Sequence, residues 1–379
     1  MTDPVYLDYN ATTPVAPEVA DAIEPYLREH FGNPSSSHIY GQRAKQAVEQ
    51  ARGEVAALIG AGREEIVFTG CATEANNLAI QGVAQALAGN KKHLITSAIE
   101  HPSVTQPFLK LRNEGWEVTI LPVDRHGRVS PVTVERAIRP DTALISVMHA
   151  NNEVGTIQPI ADIARLARSK GILLHTDAAQ SAGKIPLNVH KLGVDLLTLA
   201  GHKFYAPKGV GALYVRSGTP VSPLQVGAGH EHGLRPGTEN VPFAVGLGVA
   251  ASLARKRLPK LQAYLTSLRD QLHARLQAEI PGLALNGHNE ARLPNTLNIS
   301  FPDVSGHELL AGAAQDVAAS TGSACHSGDH AVSGVLGAMK TGTLRAVGAV
   351  RLSVGIYTTP ADIERAARAL IAGWSQLRS

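Results

Sequence analysis

From residue 65 to residue 215 the chain repeats one unit, a short apolar run followed by a helical stretch. EIVFTG, HLITSAI, EVTILPV and ALISVMHA are followed by residues 172–175, by residues 195–199 and finally by GVGALYV at 209–215. Runs this apolar predict strands covered by helices on both faces, as in a mostly parallel sheet. One large α/β body with seven strands is expected. Open sheets of this kind bind ligands beyond the carboxyl ends of their strands, so the residues trailing each run are the candidate site.

In GILLHTDAAQ, Asp177 and Gln180 trail one strand; in DLLTLAGHKFYAPK, His202 and Lys203 trail the next. Desolvation and cationic neighbours lower a lysine's pKa, so a lysine leaving an apolar strand ahead of Phe204 and Tyr205 suits a Schiff base. A carboxylate on the neighbouring strand end can hold a pyridinium nitrogen protonated, the pairing that makes pyridoxal 5′-phosphate (PLP) an electron sink. Each residue alone has a plainer reading, Asp177 as a helix cap and Lys203 as a surface lysine. Their place in one strand-loop-strand unit favours the pair. TGCATEANN follows a strand and opens a helix, so its backbone N–H groups and the Thr73 hydroxyl offer a phosphate seat, although Thr73 equally suits an N-cap. His101, in IEHPS, is placed to stack on a planar cofactor and move protons, or is an ordinary loop histidine. Asn152, in HANNEVG, trails a further strand, where its amide suits a cofactor hydroxyl or a substrate carboxylate. No GxGxxG follows a strand, which argues against a dinucleotide fold.

The 379 residues, 44% of them hydrophobic, leave room for more than one domain. A net charge of +3 gives no reason to expect nucleic acid or an anionic membrane as partner. MTDPVYLDYNATTP lacks the basic and apolar regions of a secretory signal, and the longest nearly apolar run, 241–254, is too short for a bilayer, so a cytoplasmic protein is expected. The sequon at Asn10 is then coincidence. Residues 241–279 predict a long helix kinked or split at Pro259, and the remainder a smaller α+β part with strands near 296–300 and 350–354 and a final helix from Pro360. Of the two cysteines, Cys325 lies among small flexible residues in STGSACHSGDH, which favours a reactive thiol, and Cys71 reads as a packing residue. The histidine pairs 230/232 and 326/330 lack a full ligand set, so no metal is expected.

Taken in order, YLDYNATTP, FGNPSS, TGCATEANN, the pair Glu100 and His101, HANNEVG, HTDAAQ, GHKFYAPKG, RPGTEN, GSACHS and RLSVG extend over essentially the whole chain. On these motifs it resembles the PLP-dependent cysteine desulfurases of the class V aminotransferase group, and selenocysteine lyases. The resemblance implies a fold-type-I α/β enzyme: a large PLP-binding domain over residues 15–255, and a small α+β domain from residues 1–14 and 256–379. It implies a homodimer with active sites at the interface. Lys203 would bond PLP, Asp177 would pair with the ring nitrogen, Gln180 with the ring hydroxyl oxygen, and His101 would stack on the ring. Ala72, Thr73 and His202 would hold the phosphate, joined by Thr238 of the partner subunit. Arg351 and Asn152 would bind the substrate carboxylate, and Cys325 would take the sulfur or selenium atom. Lys203, His101 and Cys325 would then carry catalysis. Alanine would be released, and an acceptor or scaffold protein would receive the sulfur for iron–sulfur cluster assembly or thiolation. Two positions depart from the pattern: Ala200 stands where many desulfurases have serine, and Cys71 where glycine is usual. An aminotransferase on the same fold and a non-catalytic α/β binding protein are the rival readings.

Overall fold

The computed structural model describes residues 3–322 and 333–378. Seven strands form one sheet in the order Ile66–Thr69, Gly211–Val215, Leu196–Ala200, Leu173–Asp177, Thr142–Ser146, His93–Ser97, Glu117–Leu121. Gly211–Val215 runs antiparallel to both neighbours, and every other pairing is parallel. The mostly parallel seven-stranded α/β sheet expected from the sequence is thus present. Its strands are buried almost throughout, apart from Glu117–Leu121, which lies at the edge and exposes Glu117 and Ile120.

Side chains alternate between two cores, as the two-residue period of a strand requires. Ile66, Phe68, Ile95, Leu197 and Leu199 pack with Ala44 and Val48 of helix Ile39–Ile59 and with Ala244 and Leu247 of helix Val241–Glu279. On the other face Val67, Leu94, Leu196 and Leu213 meet Leu78 of helix Ala72–Leu87 and Phe108 of helix Pro102–Asn113. A second, antiparallel sheet has Thr296–Ser300 between Ala349–Ser353 and Ala284–Asn286. Its core takes in Leu265, Leu268, Leu272 and Leu276 from the far half of Val241–Glu279, Leu370 of helix Pro360–Leu377, and Val5 and Leu7 from the N-terminal segment.

The sequence predicts a long helix kinked or split at Pro259; it is not split, since Val241–Glu279 runs through that residue as a single helix of 39 residues, about 58 Å long at the usual rise. A proline inside a helix leaves the carbonyl four residues earlier without its bond. Here Pro259 and Arg255, the residue that carries that carbonyl, are both exposed and lie between the two cores. Where the helix crosses Ile39–Ile59, a Cβ at Gly248 would fall 2.5 Å from Ala51 Cα, and backbone cannot give way as a side chain can. Gly248→Ala should therefore force the two helices apart and lower stability by about 1–3 kcal/mol, as overpacking does. Urea unfolding followed by circular dichroism measures this, and an unchanged midpoint would contradict the close crossing.

Candidate active site

The carboxyl ends of the sheet's parallel strands open on a cleft of about 750 Å³, within the range of small-molecule sites. Ala72, Thr73, His101, Asn152, Asp177, Gln180, His202, Lys203 and Arg351 all line it. Thr238 does not; it is exposed, outside the cleft of its own chain. Cys325 lies outside the described residues. Gly322 and Gly334, near the two ends of the described chain around it, both line the cleft.

Lys203 ends the short helix Gly201–Lys203 that follows strand Leu196–Ala200. Its Nζ donates to the carbonyls of Asn10 at 2.7 Å and Ala11 at 2.8 Å. Burial first, and then the nearby Arg351 guanidinium, push the amine down to about 8, against the opposing pull of Asp177 and Asp8. A sizeable neutral fraction is thus available near neutral pH, as a nucleophilic amine requires.

Asp177, at the end of its strand, is held from both sides. Its Oδ1 accepts from the Ala179 N–H at 2.9 Å and its Oδ2 from Asn76 Nδ2 at 2.8 Å. The same Asn76 amide donates to Ser103 Oγ at 2.9 Å, and Ser103 Oγ lies 2.8 Å from His101 Nδ1. The Ser103 N–H donates to that nitrogen at 3.1 Å, so Nδ1 is the acceptor and the imidazole proton belongs on Nε2. Burial above all lowers the His101 pKa, which favours the neutral ring. Asn76 and Ser103, which the sequence reading left without roles, therefore couple the carboxylate to the tautomer of the histidine.

Across the cleft, Arg351 stands on the second sheet, in Ala349–Ser353. Its Nη1 donates to the Asn152 carbonyl at 3.1 Å and its Nη2 to Asp8 Oδ1 at 2.7 Å, while its buried Nε has no partner among the described residues. The Asp8 ion pair was not foreseen; it holds the guanidinium in place and shares it with any incoming carboxylate. Two further acids line the cleft. Burial pushes the Glu100 carboxyl up to about 8 even though it accepts from Ser97 Oγ and the Met148 N–H, and it raises that of Glu153, which accepts from Ser333 Oγ.

The third end of the cleft is the start of helix Ala72–Leu87. The preceding Cys71 makes no capping bond with its side chain. Gly211 lets this turn sit against the sheet, since a Cβ there would fall 2.8 Å from the Cys71 carbonyl carbon and 3.0 Å from the Ala72 nitrogen. His202, whose Nδ1 lies 3.1 Å from Thr12 Oγ1, is driven down to about 4 by burial and then by Lys203, so it meets a ligand as a neutral ring.

A sequence model of the aminotransferase class-V family matches residues 5–366. The chain belongs to that family. Similar proteins include the cysteine desulfurase IscS of Dictyoglomus turgidum, 48% identical over 95% of this chain and 91% of the relative. The cysteine desulfurase IscS of Anaeromyxobacter dehalogenans is 47% identical over 97% and 92%. Among solved structures, a NifS-like protein matches with a TM-score of 0.93 at 37% identity, over 99% of this chain and 100% of that one. SspA in complex with cysteine matches with 0.83 at 38% identity, over 94% and 100%.

Members of this family depend on PLP, and the donor set fits that group. A helix start without a side-chain cap, a hydroxyl at Thr73 and the neutral His202 suit a phosphate. Asp177 suits a protonated ring nitrogen, and Lys203 an aldehyde carbon. In protein freed of PLP, capture of added PLP by Lys203, trapped with borohydride and counted by mass spectrometry, should rise with pH through a midpoint near 8. Arg351→Gln removes a cause of the lowering, so its midpoint should move up toward the ordinary lysine value of about 10.4. A wild-type midpoint already at that ordinary value would contradict the account of Lys203.

Proposed function

We propose that the chain is a PLP-dependent cysteine desulfurase, converting L-cysteine to L-alanine and keeping the sulfur as a persulfide on Cys325. The reading rests chiefly on one observation: a lysine held near neutrality shares a single cleft with the strand-end carboxylate of Asp177 and with Arg351. Its support from kinship is the high identity to proteins named cysteine desulfurase over nearly their whole length.

When bound, PLP supplies an electron sink for the pair of electrons left when an amino acid loses its α-proton. The protein's residues do the rest. Arg351 and Asn152 bind the substrate carboxylate, which fixes which face of the α-carbon meets Lys203. Lys203 Nζ, neutral above about pH 8, takes the α-proton. Asp177, aligned by Asn76 and the Ala179 N–H, would hold a proton on the ring nitrogen. His101 would meet the ring as a neutral imidazole with its proton on Nε2. The Cys325 thiolate attacks the substrate sulfur: the S–S bond forms as the carbon–sulfur bond breaks, the β-carbon takes up a proton, and Lys203 returns the proton it took from the α-carbon, which gives alanine. Cys325 belongs to the segment 323–332, whose described neighbours Gly322 and Gly334 border the cleft; this supports its access to the substrate.

The working unit proposed is a homodimer in which Thr238, exposed and away from its own cleft, completes the phosphate seat of the partner. The persulfide then passes to an acceptor protein serving iron–sulfur cluster assembly or thiolation. Among the described residues no helix is long and apolar enough to cross a membrane, and the cytoplasm is the compartment proposed.

Cys325→Ala, loaded with PLP, should lose alanine release from L-cysteine almost completely and keep its visible absorption. Alanine formed at the wild-type rate would rule out the persulfide step. Mixing Lys203→Ala with Thr238→Ala protein should give mixed dimers in which one site of two regains wild-type PLP affinity. Mixed dimers without that recovery would place Thr238 outside the partner's site.

A further inference from the structure

Lys184 has no part in the chemistry described so far. It is 6% exposed, four residues beyond Gln180, and it does not line the cleft. Its Nζ donates to Gln180 Oε1 at 2.9 Å and to Asn10 Oδ1 at 3.2 Å. Burial above all, and then the two cations Lys203 and Arg351, drive its pKa well below that of a free lysine. Burying an amine without a carboxylate partner is costly, and an apolar side chain of similar length would fill the space without that cost. What such a side chain could not supply is the pair of N–H donors.

Both acceptors of those bonds reach the reacting lysine. The Asn10 carbonyl accepts from Gln180 Nε2 at 2.9 Å and from Lys203 Nζ at 2.7 Å. An N–H needs an oxygen to receive it, so Lys184 holds Gln180 Oε1 on its own side and leaves Nε2 on the other. An amide nitrogen carries two N–H bonds; one goes to Asn10, and among the described residues the second has no recorded partner, in a side chain that lines the cleft.

We infer that Lys184 is a positioning residue of the cleft. By gripping Gln180 and Asn10 together, it presents the Gln180 amide to the ligand as a hydrogen-bond donor and holds the carbonyl on which Lys203 rests. The inference builds on the reading of the cleft as a PLP site in which Gln180 meets the ring hydroxyl oxygen, and adds the residue that sets the orientation of that amide.

The test compares wild type, Lys184→Met, Gln180→Ala and the double variant, all loaded with PLP. Two quantities are read: the PLP dissociation constant, and the pH midpoint of the visible absorption band. Lys184→Met should weaken PLP binding roughly tenfold, the scale of one buried hydrogen bond, and shift the midpoint in the same direction as Gln180→Ala. The double variant should lose clearly less than the sum of the two single losses, because the two side chains act largely as one unit. Additive losses, or a Lys184→Met protein with a lowered melting temperature but unchanged affinity and midpoint, would overturn the inference. Wild type without PLP affinity or a visible band would instead overturn the reading of the cleft. If Lys184→Met does not fold, the shorter polar variant Lys184→Gln replaces it in the same comparison: affinity should again fall and the midpoint again shift with that of Gln180→Ala, and a folded Lys184→Gln protein with both unchanged would overturn the inference.

Discussion

The cleft depends on how the N-terminal segment is tied at Asn10. Its N–H donates to Ser353 Oγ, and its side-chain amide donates to Thr296 Oγ1 and to the Asn152 carbonyl. Its carbonyl accepts from Lys203 and Gln180, and its Oδ1 accepts from Lys184 and Asn295. Thr296 and Ser353 belong to the second sheet, whereas Lys203 and Gln180 follow strands of the first. One residue thus joins both walls of the site. Buried networks of this kind are stable only when every member has a partner, so loss of one bond at Asn10 is felt by the others.

Charge follows the same geometry. Lys203, Lys184 and Arg351 lie close together, and burial first, then their mutual repulsion, lowers the affinity of the two amines for protons. Asp8 and Asp177 offset part of this. A ligand bearing a phosphate and a carboxylate is well matched to such a cleft. Its negative charges would meet these cations in a setting that screens poorly.

The sheet was legible because strands buried on both faces must be apolar along their whole length, and because polar residues placed directly after such runs have few structural uses. Asp177 ends a strand, Gln180, His101, Asn152, His202 and Lys203 follow strands, and they all reach one cleft. Arg351 was different: nothing in RLSVG says what it faces, and only the resemblance to a family singled it out. Its partner Asp8 stands 343 residues earlier, and no periodicity in a chain encodes a contact at that separation. The link from Asn76 through Ser103 to His101 was hidden for a related reason, since short polar residues near helix starts ordinarily signal capping. At Pro259 the sequence left open a kink or a split, and it could not choose between them because the choice turns on the surroundings of the proline and not on the proline itself.

The helix Val241–Glu279 belongs to two hydrophobic cores at once, contributing Leu247 and Ala251 to one and Leu268 and Leu272 to the other. The molecule accordingly has no seam. A cut near Pro259 would sever the backbone at an exposed point, yet each fragment would carry half a helix whose apolar face was shaped for a body on the same rigid rod. Attempts to express either part alone, or to graft one onto a different scaffold, would have to carry the whole rod along or cap it anew.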